Sequence, residues 1–401
     1  MVNEYRMPNI NHIIISWARE TAELTVETAA QKLQIKDSKT ASAAEKLLAY
    51  ENGTKSPTRS MLLRMSKLYR RPLLTFYLDK PPVIGDRGED FRTLPDDFER
   101  EENVHVDMLI RDIKARQSLV RDTLIDEDEE IHLAFVGRNT VSQGMQIVTQ
   151  ALREVLNIDL NEFRSQSNYG DAFKLLRQCA EEAGVFVLLQ GNLGSHHTNI
   201  SVTAFRGFAL SDDIAPFILI NDRDAKSAWS FTLLHEMAHI VLGQTGVSGA
   251  YMEKRIEKFC NEVASEFLLP SDEFQEFSLS DIDFESVTEQ ISRYAFSKKI
   301  SNSHIAYRLY RRGDIDHVLW TKLRDFYHQQ WTAQRDREKA KHREKEGGPS
   351  LYVLRRYKLG ALVGVVQRLT YSGAISTTKA GMLLNVRPLK VHRLFEASQP
   401  I

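Results

Sequence analysis

The stretch that most restricts the fold is LLHEMAHIVLG, Leu233 to Gly243. His235 and His239 stand four apart, and on an α-helix residues at that spacing project from the same side. Both rings can then reach one ion at ~2.0–2.1 Å, the zinc–imidazole distance. Glu236 falls beside such an ion without being a ligand, where a general base must sit to take a proton from water. Leu234, Met237, Ala238 and Val241 give the segment an apolar side, and Gly243 stops it soon after the second histidine. An apolar run, PFILIN, lies just upstream. This context disfavours the alternative, a surface helix with two solvated histidines.

Catalytic zinc keeps three protein ligands and one open position. The next helical segment, about 251–268 and stopped at Pro270, offers Glu253, Glu257, Glu262 and Glu266. Ile256, Cys260, Val263, Ala264 and Phe267 form its apolar stripe. Counting about 100° per residue, Glu257 lies about 60° from Cys260, on the border of that stripe, whereas Glu262 lies about 200° away, toward solvent. NEVASE looks like the N-E-x-x-S-D segment of thermolysin-type peptidases, but this geometry argues against Glu262 as the third ligand. Glu257 is the better choice, 18 residues after His239. Glu253, one turn earlier on the same side, is the other. Only Cys179 and Cys260 occur, without paired spacing, so neither a disulfide framework nor a thiolate zinc knuckle is indicated. Cys260, within the stripe, reads as a buried hydrophobe.

FTLLHEMAHIVLG followed by EKFCNEVASEFLLP, with GFAL and PFILIN before them, resembles the ImmA/IrrE family of zinc metallo-endopeptidases over roughly 180–310. The resemblance implies Zn2+ held by His235, His239 and Glu257, with Glu236 as catalytic base. Where family members carry an aliphatic-aromatic-Ala sequence after Cys-Asn, this chain has Glu262-Val263-Ala264. The oxyanion needs a further donor. Tyr307, His304 and Arg308 in SNSHIAYRLYRRG are candidates, with structural or surface roles as the alternative, and His196 and His197 read as a loop pair. An extended substrate would add to a strand edge of a small sheet, around Phe208.

At 401 residues the chain exceeds one compact core, so two or three domains are expected. The net charge of −1 advertises neither nucleic acid nor membrane, yet both ends are basic. Residues 1–80 carry 13 Lys/Arg against 8 Asp/Glu, and residues 351–401 carry 8 against 1. No stretch approaches the ~20 apolar residues of a membrane helix, and a cytoplasmic protein is expected.

The first 80 residues read as short helices. One carries Ile14, Trp17 and Ala18. A second starts at Thr25 as N-cap, with Ala29, Ala30 and Leu33 inward, a third ends at Asn52-Gly53, and a fourth turns Leu62, Met65 and Leu68 inward. This stretch is similar to the XRE-type helix-turn-helix fold, and YRRPLLTFYLDKPP…DFRTLP looks like its junction to an ImmA/IrrE peptidase. The resemblance implies that the third helix enters the major groove. That helix would start near 39–42 and present Ser42, Glu45 and Lys46, with no Arg, Gln or Asn in its first turn for bidentate base contacts. Lys36, Lys39, Lys46, Lys55 and Arg59 could touch phosphates. A degenerate module that recognises a protein is the alternative.

The expected fold is α+β and mostly helical: an N-terminal helix-turn-helix bundle, a zincin-like peptidase domain with a small sheet and the HExxH helix, and a helical C-terminal extension. The boundaries expected are 1–80 for the bundle, 81–139 for a linker and connecting helix, 140–330 for the peptidase domain, 331–350 for a charged linker and 351–401 for the basic extension. VFVLLQ, AFRGFALS and PFILIN read as strands. The expected function is zinc-dependent cleavage of a repressor or regulatory partner by a transcriptional regulator. The rival is a DNA-binding regulator, or an antitoxin-like component of a toxin-antitoxin or phage-defence system, whose peptidase domain mainly senses or binds a partner. Expected partners are a repressor, toxin or other regulatory protein, double-stranded DNA and a second copy in a homodimer, with no membrane.

Overall fold

The computed structural model describes residues 10–78 apart from 23, 39, 40, 70 and 72, together with 80, 100–243, 250–344 and 350–397. Side chains at 100–104, 196, 250–254 and 338–344 are outside this description. The architecture is α+β, helices with one three-stranded sheet. Contacts divide the chain into two units, one formed by Met1–His132, Gly191–Phe205 and Arg355–Ile401, the other by Leu133–Gln190 and Arg206–Leu354.

In the first unit, α1 (His12–Glu20), α2 (Val26–Lys32), α3 (Ala43–Glu51) and α4 (Arg59–Leu68) each start at a side chain that accepts a backbone N–H: Asn11, Thr25, Ser42 and Thr58. Ile14, Ala18, Ala29, Ala30, Leu33, Leu47, Leu62 and Met65 are buried at helical spacing. Arg19 of α1 donates through Nε and Nη2 to the two carboxylate oxygens of Glu51 on α3, at 2.7 and 3.0 Å. This buried bidentate pair fixes which face of α1 meets α3. The helix α5 (Arg100–Asp126) buries Leu109, Ile110, Ile113 and Val120 along one side.

In the second unit, α6 (Met145–Leu156), α7 (Leu160–Ser165) and α8 (Tyr169–Glu182) precede β1 (Phe186–Leu189). The left-handed backbone of Asn157 (φ 43°) ends α6 and separates it from α7. The strands β2 (Gly207–Leu210) and β3 (Phe217–Ile220) complete the sheet in the order β1-β3-β2, with β1 parallel and β2 antiparallel to β3. Every residue of β1 and β3 is buried, which fits their unbroken apolar sequences FVLL and FILI.

The helix α9 (Lys226–Val241) packs on β2 and β3, and α10 (Ala250–Leu268) packs on α9 and α6. From Trp229 to Val241 only Phe231 of α9 is more than slightly exposed, so this helix is buried on all sides rather than along a single stripe. It packs against α6, α8, α10, β2 and β3. Further along are α11 (Ser271–Gln275), α12 (Phe284–Lys298), α13 (Asn302–Arg312) and α14 (His317–Glu344). The chain ends in α15 (Leu351–Leu359), α16 (Ala361–Tyr371), α17 (Thr377–Leu383) and α18 (Val391–Glu396). Among the described residues no helix is long and apolar enough to cross a membrane.

Candidate metal centre

Burial of α9 carries His235 and His239 into the interior, where they are 0% and 3% exposed. Their Nε2 atoms face each other at 3.1 Å. On α10, Ile256, Cys260, Val263, Ala264 and Phe267 are buried against the neighbouring helices, which leaves Glu257 at the edge of that stripe and turned toward α9. Its Oε2 lies 3.3 Å from His235 Nε2 and its Oε1 3.2 Å from His239 Nε2. Glu262 points outward, its side chain 48% exposed. Glu266 accepts from Ser271 N and Oγ at the start of α11. The side chain of Glu253 lies outside the described residues.

Two imidazole nitrogens and a carboxylate are a donor set that zinc accepts. The spacing tests the fit further. At ~2.0–2.1 Å from a common centre, tetrahedral ligands stand about 3.3–3.4 Å apart. The three separations here, 3.1, 3.2 and 3.3 Å, come close to that triangle. Among the described residues these three form the one cluster of His, Cys, Asp and Glu able to hold a metal ion.

Glu236, 0% exposed, stands outside this triangle. Its carboxylate is pressed against the backbone of β2: a Cβ placed on Gly207 would lie 2.8 Å from Glu236 Oε1 and 2.6 Å from Thr232 Cγ2. The missing side chain at 207 therefore allows strand and helix to close together. Nothing in the local sequence announces this contact, because it arises between segments 29 residues apart.

The other candidates have partners elsewhere. His304 shares a hydrogen bond with Ser265 Oγ at 3.1 Å and packs on Phe231. Burial, assisted by the positive charge of Arg308, lowers its pKa to about 3 and keeps it neutral. Arg308 donates to Leu269 O and lies over Phe274, which ties α13 to the end of α10. Tyr307 is exposed. His197 is exposed in a short 3-10 helix, and the side chain of His196 is outside the described residues. Phe208 lies in β2, which has a sheet neighbour on one side only, β3.

Of the residues considered for DNA, Ser42 and Glu45 cap each other: Ser42 Oγ accepts from Glu45 N, and Glu45 Oε2 accepts from Ser42 N at 2.7 Å. These hydrogen bonds hold the Glu45 carboxyl below its usual range. Lys46 Nζ donates to Lys36 O at 2.6 Å. Lys55 and Arg59 are exposed. Lys39 lies outside the described residues.

Residues 180–309 match the family model of Peptidase M78, described as the IrrE N-terminal-like domain. The match supports an ImmA/IrrE-family peptidase domain over that span, and it contains the whole His235–His239–Glu257 cluster. No curated protein and no solved structure matches the chain.

Proposed function

We propose that the protein is a zinc-dependent endopeptidase and transcriptional regulator that cleaves a repressor or another regulatory partner. The observation that carries this reading is the convergence of two buried imidazoles and one carboxylate within a peptidase-family domain. His235, His239 and Glu257 would hold the ion from three sides, three protein donors being the catalytic rather than the structural pattern. When bound, zinc supplies Lewis acidity, making water ionisable near neutral pH and polarising a carbonyl.

Glu236 accepts the proton of the attacking water and returns it to the amine as the peptide bond breaks. The backbone of β2 at Gly207 holds that carboxylate in place, and burial of α9 keeps bulk water from it. An extended substrate adds to the side of β2 away from β3, so that main-chain hydrogen bonds carry it past Glu236. The helices α1–α4 bring the enzyme to DNA, with Lys55 and Arg59 on phosphates. Because Ser42 and Glu45 are engaged with each other, sequence reading by that helix start is weak.

The test is incubation of the full chain with candidate regulatory proteins, followed by mass spectrometry of the products. Cleavage at a defined bond, lost on chelation and regained with added zinc, is the expected result. A partner that is retained but never cut would replace this reading by the binding one, a DNA-associated or antitoxin-like regulator.

A further inference from the structure

The last three helices, α16, α17 and α18, pack on one another within the first unit. Residues 384–387 join α17 to a turn of 3-10 helix, Pro388–Lys390, that leads into α18. Asn385 takes a left-handed backbone (φ 52°). Its N–H donates to Met382 O at 3.2 Å and that of Val386 to Gly381 O at 2.8 Å, which satisfies the last carbonyls of α17 and turns the chain out of it. The two arms then close tightly, because a Cβ on Gly381 would lie 2.7 Å from Val386 O and 3.3 Å from Pro388 Cα. Ala380, Leu384, Val391 and Leu394, each 0% exposed, give the pair its core. Two helices held together across so short a turn form a helix-turn-helix.

The second arm is pinned at both ends and shows one face to solvent. From α15, Arg355 donates to Asn385 O, and Arg356 donates to Phe395 O at 2.7 Å. Val391, Leu394 and Phe395 are buried, whereas Leu389, His392, Arg393 and Glu396, at helical spacing, are exposed, with Arg387 exposed ahead of them. In this motif the second helix enters the major groove with its first residues on base edges. There Arg387 and Arg393 suit guanine, whose O6 and N7 accept the paired donors of a guanidinium, and Leu389, 92% exposed, suits a thymine methyl. Lys390, beside that face, suits a phosphate.

Charge supports the same partner. Residues 351–401 carry 8 Lys/Arg against 1 acid, Glu396, which lies at the far end of the second arm. Arg355 and Arg356 are used within the protein, and so is Arg368, which donates to Glu129 at 2.6 Å. Arg387, Lys390 and Arg393 all fall on or beside the second arm. The start of α3 offers the reverse, a serine and a carboxylate engaged with each other.

We infer that α17 and α18 form a module that reads duplex DNA, with the second arm in the major groove, Arg387, Leu389 and Arg393 on base edges and Lys390 on the backbone. The inference stands without the metal centre and without α1–α4 on DNA.

Selection by the full chain from a random-sequence duplex pool tests it, followed by fluorescence anisotropy on the selected duplex over a range of salt. The module predicts one enriched motif that contains guanine. Arg393→Ala should weaken the selected duplex by about tenfold or more and relax the preference at one base pair, with the thermal midpoint unchanged because the side chain is exposed. Lys390→Gln should weaken all duplexes alike and reduce the salt slope by about one. Lys55→Gln combined with Arg59→Gln, on the other basic surface, should leave the motif as it is. The proposal is overturned if no duplex is enriched, if the chain binds RNA but not duplex DNA, or if affinity and preference survive both Arg387→Ala and Arg393→Ala.

Discussion

Glu236→Gln is expected to lower peptide-bond hydrolysis by ~10²–10⁴-fold, the contribution typical of a positioned general base, while zinc content and folding stay as in the wild type. Glutamine keeps the shape of the buried side chain and removes its ability to accept a proton. Glu236 lies outside the triangle of His235, His239 and Glu257, so metal binding should be indifferent to the change. Turnover of a cleaved partner, measured with zinc per chain and the thermal midpoint on the same preparations, separates the roles. Turnover that survives the substitution would remove Glu236 from the chemistry. Lost turnover accompanied by lost zinc would make it part of the metal site instead.

The second large effect is expected at Gly207. A side chain there meets Thr232 Cγ2 at 2.6 Å, Glu236 Oε1 at 2.8 Å and Leu219 O at 3.1 Å, so at least two neighbours must shift. Overpacking of this kind costs about 1–3 kcal/mol, and Gly207→Val, larger than the minimal methyl, should fall at the upper end. Activity should fall further than stability, because one displaced group is the carboxylate that positions the reaction. Pairing Gly207→Ala with Thr232→Ser distinguishes the two parts. Removing the Thr232 methyl relieves the closest clash and should restore part of the stability, leaving the contact with Glu236 and the loss of activity. Wild-type turnover in Gly207→Ala would show that strand and helix are not held at this spacing.

How much of this was readable in the sequence depends on the range of the interaction. The helical positions of His235, His239 and Glu257 follow from local periodicity: the buried stripe of α10 places Glu257 at its border and Glu262 outside, as the structure shows. The three strands lie within the apolar runs read for them, since β-branched and aromatic runs between turn residues are a local signal. The Thr25 cap is equally local.

Burial of α9 on every side is not local, because it depends on α6, α8, α10 and the sheet converging on it. Gly207 looked like an ordinary strand residue, and its tightness comes from a helix that follows in the chain. The first unit gathers three separate stretches of chain; the basic excess at 1–80 and 351–401 falls within two of them, but nothing local assigns 191–205 to the same unit. At its charged end, α14 runs to Glu344, into the stretch expected as a charged linker at 331–350. Its Gln, Arg, Glu, Lys and Ala residues are strong helix formers without an apolar stripe to announce them.

The proposed chemistry needs one ion shared by two helices. Elemental analysis of the purified full chain, repeated on His235→Ala, His239→Ala and Glu257→Ala, tests that most directly. The expected result is a single zinc per wild-type chain, lost or readily removed by dialysis in each variant, with folding retained. Wild-type protein that takes up no zinc, or a Glu257→Ala variant that keeps it as tightly as the wild type, would contradict the metal centre and the peptidase built on it.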